Sequence, residues 1–438
     1  MKLPPIHKEI LALSIPAIVT NITTPLLGLV DVTITGHMGD AVYIAAIAIG
    51  GNMFNMLYWL FAFLRMGTSG MTAQAFGAQN FKETTLTLYR ALVVALFVGI
   101  AMIILQVPLG SAILNFLNVK SSTSIYAWKY FSICIWGAPA FLGTFALSGW
   151  FLGMQDSKAT MYISILINVV NIATSLILVY LFDWGLTGVA TGTLTAQWIG
   201  FIVGLLLCLN SKYKLKQYPI YEIFQWDKLK RFFSINVDIF FRTFCLVAVT
   251  LWFTRTGAQQ GNTILAVNTL LMQLFLLFSF FMDGFAFAGE ALAGRFIGER
   301  NALRLKECVR ALMLWGLIVA VLFTVLYAFG GEIILMLLSS EPEVIEASKS
   351  YYYWAAAIPL AGFITFTWDG IFIGATRTRA MLLSMFTASV SFFSLYFALY
   401  DTYANHAVWF AFISYLIIRG VILTIISPSL YKFSYYSR

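Results

Sequence analysis

Charge is scarce in this chain. Only 11% of its 438 residues are Asp, Glu, Lys or Arg, against about 25% in a soluble domain. So few charged side chains cannot cover a water-facing surface of ordinary extent. Cysteine is scarce as well. Cys134, Cys208, Cys245 and Cys308 are scattered, with no CxxC pair, which excludes a disulfide framework and a cysteine metal site. The three histidines, His7, His37 and His406, are equally dispersed. No HExxH or GxSxG stands in the chain, and no glycine is followed by lysine. A zinc site, a serine nucleophile elbow and a GxxxxGK[ST] phosphate loop are therefore excluded. The chain reads as neither an enzyme nor an ATP-driven pump, and no cofactor or metal is expected. Strand alternation of the membrane-barrel type is absent too.

What the sequence has is apolar length. It is 60% hydrophobic, and runs of about 20 apolar residues, each enough to cross a bilayer, recur from end to end. They predict twelve helical spans, at 10–36, 42–66, 86–110, 124–151, 160–182, 186–209, 231–254, 262–289, 307–329, 348–375, 380–400 and 405–428. The fold class is an all-α integral membrane protein. The N-terminal segment has no small-residue cleavage site before its long apolar run and reads as a retained span. An even number of spans puts both termini on one side. Twenty of the 27 basic residues fall there, and only Lys120, Lys129, Arg255 and Lys349 opposite. Such a bias marks the cytoplasmic face. The net charge of +8 is therefore a topology signal in a cytoplasmic (inner) membrane protein, with the bilayer rather than nucleic acid as partner.

The chain also repeats itself. GMTAQAFGAQN (70–80) aligns with EALAGRFIGERN (290–301), so that Gly77 meets Gly298 and Asn80 meets Asn301 at one common offset. Gly153 meets Gly374 at that same offset, and Pro139 meets Pro359 beside it. A duplicated six-span unit has the same topology in each copy, which predicts two pseudo-symmetric lobes with a site between them, the plan of a transporter. The expected organisation is an N-terminal lobe over 1–209, a polar cytoplasmic connector over 210–230 and a C-terminal lobe over 231–438.

Within the first span the sequence departs from simple apolarity. Asp31 sits near its outer end, and Pro16 and Pro25 interrupt it. An ionisable residue inside a membrane span is costly and marks ion or proton handling, or a wet cavity. A proline removes a helix hydrogen bond and favours a kink. The alternative is a solvated acid at a helix end with two tolerated prolines.

The segments VDVTITGHMG (30–39), FLRMGTSGMTAQAFGAQN (63–80), FLGMQDSK (151–158), NVDIFFRT (236–243), MDGFAFAGEALAG (282–294) and WDGIFIGATRTR (368–379) resemble the multidrug and toxic compound extrusion (MATE) family, in its DinF-like branch. The resemblance covers essentially the whole chain. It implies twelve helices in two six-helix lobes around a central cavity. It also implies cation-coupled efflux of small amphipathic, often cationic, organic compounds, by a monomer. Asp31 matches the acid that the family carries on its first helix, and Pro16 the bending proline. Asn171 and Thr193 match a family asparagine and threonine on the fifth and sixth helices. Asn168 lies one turn before Asn171 on the same face. Either asparagine could instead be a hydrogen-bonded link between helices. Ser175 stands where many relatives carry a second acid. A single carboxylate suits H⁺ better than Na⁺, so proton coupling is expected, with Na⁺ as the alternative.

In the C-terminal lobe, Asp238 and Arg242 stand four apart and are expected to pair on one helix face. With Asp283 and Asp369 they make a charge network in which acid exceeds base. It is either a salt-bridge scaffold or an ion site. Arg65 is expected to reach the interface with its head group, and Glu290 to act at an interface or in a conformational change. Drug pockets are mostly apolar and aromatic, which makes Met53, Met56, Tyr58, Trp59, Phe141, Phe145 and Trp150 candidates for the cavity lining. A second functional reading is a lipid-linked saccharide flippase of the related superfamily. It requires several basic residues for a pyrophosphate, and the spans contribute only Arg65, Arg242 and Arg419.

Overall fold

The computed structural model of the chain describes residues 4–36, 41–117, 121–213, 215–339 and 341–432. His37 and Lys120 lie outside the described residues, as do three of the twenty basic residues counted on the cytoplasmic face, Lys2, Lys214 and Arg438, and the end of VDVTITGHMG. No strand occurs among the described residues. Eleven stretches there are long and apolar enough to cross a membrane. The 32-residue helix α1, Pro5–Gly36, adds another, and the protein is a multi-pass membrane protein. The remaining helices of the first half are α2 (Ala41–Leu60), α3 (Phe63–Gly77), α4 (Phe81–Ile104), α5 (Gln106–Phe116), α6 (Ser121–Cys134), α7 (Ala138–Gly153), α8 (Ser157–Leu176) and α9 (Gly185–Cys208). After the short α10 (Ile220–Ile223) come α11 (Trp226–Gln259), α12 (Asn262–Gly298), α13 (Ala302–Leu338), α14 (Pro342–Lys349), α15 (Tyr352–Gly374), α16 (Thr378–Tyr403) and α17 (Asn405–Ile426). Every expected span is met by helix. The second is composite, α2 and α3 forming one stretch from Val42 to Gly77.

The chain divides into two compact units, Val19–Asn236 and Met1–Ile18 with Val237–Arg438. This division differs from the expected lobe boundaries at both joints, and contacts explain why. The start of α1 packs on the second unit: Arg295 pairs with Glu9, Trp315 Nε1 donates to His7 Nδ1, and Gly284 lies against the Ser14 carbonyl and Ile18. The connector belongs to the first unit. Arg90, fully buried, donates to the carbonyls of Glu222 and Ile223 and to Glu83 Oε1, and Lys82 pairs with Glu222.

The repeat has a physical basis in two close helix contacts, one in each unit. In the first, a Cβ on Gly149 of α7 would run into the Arg65 carbonyl oxygen of α3, and one on Gly153 would lie 2.7 Å from that of Ser69. In the second, a Cβ on Gly370 of α15 would run into the Ala286 carbonyl oxygen of α12, and one on Gly374 into that of Glu290. The second pair of contacts reproduces the first, residue for residue, at the offset of the sequence repeat. Small residues let membrane helices approach this closely, since packing rather than water exclusion holds them together.

The corners repeat too. α3, α7, α12 and α15 are each followed by a left-handed residue: Gln79, Gln155, Arg300 and Thr376. In each, the next amide closes a 6→1 bond, Asn80 to Ala75, Asp156 to Phe151, Asn301 to Phe296 and Arg377 to Phe372, which is the Schellman arrangement. Asn80, Asp156 and Asn301 then cap the following helix with a side-chain oxygen. Arg377 has no acceptor to offer and makes no such cap. Asp156 also receives Lys212 Nζ at 2.6 Å and Tyr213 Oη at 2.7 Å. Burial alone would push its carboxyl up. The hydrogen bonds from Lys212, Tyr213 and the Ala159 amide, with the Lys212 charge, outweigh that and hold it below the ordinary carboxylate value.

Two outcomes follow. Gly370→Ala should destabilise the protein by about 1–3 kcal/mol, because the new methyl meets backbone rather than a movable side chain; thermal unfolding in detergent measures it. Asp156→Ala should cost about 1 kcal/mol near neutrality. A depressed carboxylate contributes stability above its unfolded value near 4 and loses it as the pH falls further. The gap between variant and wild type should therefore shrink below about pH 4; a gap unchanged with pH would contradict the assignment.

Candidate functional site

The first unit brings three of the expected site residues together. Gly192 of α9 lies against Ser175 of α8, with room for no side chain between them. That approach sets Thr193 beside Asn171, whose Nδ2 donates to Thr193 Oγ1 at 2.9 Å. Thr193 Oγ1 in turn reaches Asp31 Oδ2 of α1 at 3.3 Å and the Val189 carbonyl at 3.2 Å. Its single proton is thus shared between two acceptors. Asp31 is 3% exposed and Asn171 and Ser175 are fully buried. Asp31 Oδ1, Asn171 Oδ1 and Ser175 Oγ find no hydrogen-bond partner among the described residues. No basic side chain there forms an ion pair with Asp31. Asn168, the fourth expected residue, turns to α1 instead, and its Nδ2 donates to the Thr23 carbonyl at 3.0 Å. It links α8 to α1 about two turns before the acid.

The chemistry of this arrangement is plain. An ionised carboxylate away from water needs a counter-charge or a full set of donors. Asp31 has the shared hydroxyl of Thr193, with the neutral Asn171 amide close by. A proton or a bound cation supplies what is missing. Tyr130, buried on α6 beside Thr193 and Asp31, was not singled out from the sequence. A tyrosine within an apolar span, whose hydroxyl needs a partner once buried, was the available signal.

Pro16 is buried in the stretch of α1 that packs with the second unit, while Asp31 lies in the stretch that packs with the first. α1 is helical throughout Pro5–Gly36, across both Pro16 and Pro25.

The aromatic candidates separate. Tyr58 stacks on Phe141 with ring centroids 3.7 Å apart, and Phe141 meets Phe145 at 4.7 Å. Met56 and Trp59 are exposed, and Met53 is fully buried. Trp150 does not fit a cavity wall. It is fully buried in a core of Leu88, Leu147, Phe151, Met154, Ile163 and Tyr213, and its Nε1 donates to the Thr84 carbonyl at 2.9 Å. The close α3–α7 contact draws that face of α7 inward.

The second unit corrects the expected charge network. Arg242 does not pair with Asp238. Its Nη2 reaches Asp369 Oδ2 of α15 at 2.5 Å, and Arg419 Nη2 of α17 reaches the same oxygen at 2.5 Å. Asp238 instead accepts from Thr378 Oγ1 at 2.7 Å. Four-residue spacing on one helix permits a pair, but α15 offers Arg242 a buried acid directly opposite. Asp283 is half-buried on α12. The expected acid surplus becomes a basic one at Asp369, because Arg419 joins from a helix at the far end of the chain.

The profile of the MatE family matches the chain twice, over residues 16–177 and 237–399. The chain belongs to the MatE family. The two matches begin at positions that correspond in the repeat, with the same offset as the paired glycine contacts. The chain is 34% identical over 421 residues to DNA damage-inducible protein F of Escherichia coli (strain K12), covering 96% of this chain and 91% of that one. Among solved structures, a MATE in the bent conformation superposes with a TM-score of 0.87 at 18% identity, covering 99% of this chain and 97% of that one. An outward-facing multidrug resistance MATE family transporter of the MOP superfamily gives 0.86 at 18% identity, covering 98% and 97%. At that identity the structures speak for the fold. The family is one of transporters, not enzymes.

Thr193→Val removes the hydroxyl that donates to Asp31 in the structure. Leaving a buried acceptor without its donor costs about 1–3 kcal/mol. The variant should unfold at lower temperature and lose transport, and Thr193→Ser should restore both. Full activity in Thr193→Val would remove Thr193 from the site.

Proposed function

We propose that the protein is a secondary multidrug antiporter of the cytoplasmic membrane, with both termini in the cytoplasm, working as a monomer. It exports amphipathic, often cationic, organic compounds in exchange for H⁺. One observation carries the reading: Asp31 is buried within a membrane-length helix and accepts from the shared hydroxyl of Thr193, with no cationic side chain among the described residues paired to it. A proton satisfies such a group in one state of the cycle. A cationic compound, or rearranged donors, satisfies the ionised form in the other. Because both stabilise the same site, proton and substrate exclude one another, which is the condition for antiport.

α1 is the element that answers to this exchange. Pro16 and Pro25 lack the N–H that a helix interior uses, so α1 bends at lower cost than an uninterrupted helix. Gaining or losing the charge on Asp31 shifts the balance between straight and bent forms. A solved neighbour described as a MATE in the bent conformation supports this part of the reading. So does the neighbour described as outward-facing, since alternating access requires such a state. The oxygens of Asp31, Asn171, Thr193 and Ser175 could also surround Na⁺, but with one carboxylate among them the proton is favoured.

The test uses the full-length protein in reconstituted vesicles, with efflux of a cationic dye followed under an imposed pH gradient and then under a sodium gradient. Wild type should respond to the pH gradient. Asp31→Asn, which keeps shape and removes titration, should lose at least tenfold of that rate while inserting normally. Efflux driven by sodium alone would overturn the coupling ion, and full activity of Asp31→Asn would overturn the role of Asp31.

A further inference from the structure

One buried cluster of charges in the second unit does not balance within itself. Arg242, Arg419 and Asp369 come from α11, α17 and α15 and are 8%, 4% and 8% exposed. A guanidinium does not give up its proton in a protein, so even with Asp369 ionised the group carries one net positive charge. Neither arginine meets a second carboxylate among the described residues. Asp238, one turn from Arg242 on α11, is held by Thr378.

The donors are also underspent. Both arginines aim Nη2 at one oxygen, Asp369 Oδ2. The Nε of each is buried and has no acceptor among the described residues. Among the described residues, Arg419 Nη1 reaches the Tyr415 hydroxyl, at 3.5 Å. Tyr415 gives its own proton to the Met385 thioether at 2.8 Å, a weak acceptor. A scaffold built only for stability would pair the donors and cancel the charge, since an unpaired buried charge is strongly destabilising.

We propose that Arg242 and Arg419 form the seat of a compact oxyanion, a carboxylate or phosphate group, with their Nε–H groups as donors. Asp369 holds the two guanidiniums in place and lowers the charge of the seat to one, so that the anion is bound and released rather than held permanently. A bound anion removes the excess charge and takes up the spare donors together. The second unit then accepts the anionic end of an anionic or zwitterionic amphiphile, which widens the substrate class beyond cations. This inference does not depend on which ion couples transport.

The test is the thermal unfolding of the full-length purified protein in detergent. It is titrated with sodium acetate and, separately, with sodium phosphate, at ionic strength held constant with the bulkier isethionate. Wild type should show a saturable rise in midpoint with at least one of the two, and the one that acts identifies the oxyanion. Arg419→Gln leaves a charge-balanced Asp369–Arg242 pair, so it should fold. Loss of a charge-assisted bond should raise its half-saturating concentration about tenfold or more. Asp369→Asn moves the other way, because two guanidiniums then face the anion without a competitor, and its half-saturating concentration should fall. Should Arg419→Gln fail to fold, Arg242→Gln leaves the alternative balanced pair and carries the same expectation. A wild type with no saturable response to either salt would overturn the proposal. So would an arginine variant that responds as wild type does.

Discussion

Close approach of helix backbones at four glycines is the constraint on which this structure depends. Gly149 and Gly153 bring α7 onto α3, and Gly370 and Gly374 bring α15 onto α12, with carbonyl oxygens where side chains would otherwise stand. In a membrane, packing and not water exclusion holds helices together, so such contacts determine which faces turn inward. In the first unit the contact buries Trp150 and the core around it. In the second it places Asp369, next in sequence to Gly370, where α11 and α17 can each present an arginine.

On these matching frames the two copies carry different chemistry. In the register of the repeat, Asp31 and Asn171 correspond to Trp252 and Phe392. Arg242, Asp369 and Arg419 correspond to Asn21, Ser148 and Trp198. Each unit therefore carries a buried charged site at positions where the other copy has neutral residues. One is an acid short of donors, and the other is a basic pair with donors to spare. The helix corners show the same divergence on a smaller scale. Asp156 and Arg377 occupy the same corner position with opposite charge. Each reaches the segment after the last helix of its own unit's repeat, through Lys212 and Tyr213 in one case and the Ser429 carbonyl in the other.

Much of the first site was legible in the sequence. Asp31 stood out because a carboxylate in an apolar run is costly, and Asn171 and Thr193 followed from the resemblance. Tyr130 was not legible, since one tyrosine among 21 has no local mark of its neighbours. Asn168 shares a helix face with Asn171 but links α8 to α1 through Thr23 rather than joining the acid. The second site was misread for a related reason. Spacing on α11 suggested Asp238 as the partner of Arg242, whereas the partner, Asp369, lies on a helix far along the chain and is shared with Arg419.

Apolar length, basic-residue bias and the internal repeat by themselves determined a multi-pass helical protein made of two like units. Those signals are local or periodic, and bilayer thickness and helix geometry translate them directly into structure. Only the tertiary structure decided which buried charges meet, that α1 begins among the helices of one unit and continues among those of the other, and that Trp150 is core. Each depends on which helix faces come together, a choice made by packing between residues far apart in the chain, of which no single segment carries a record.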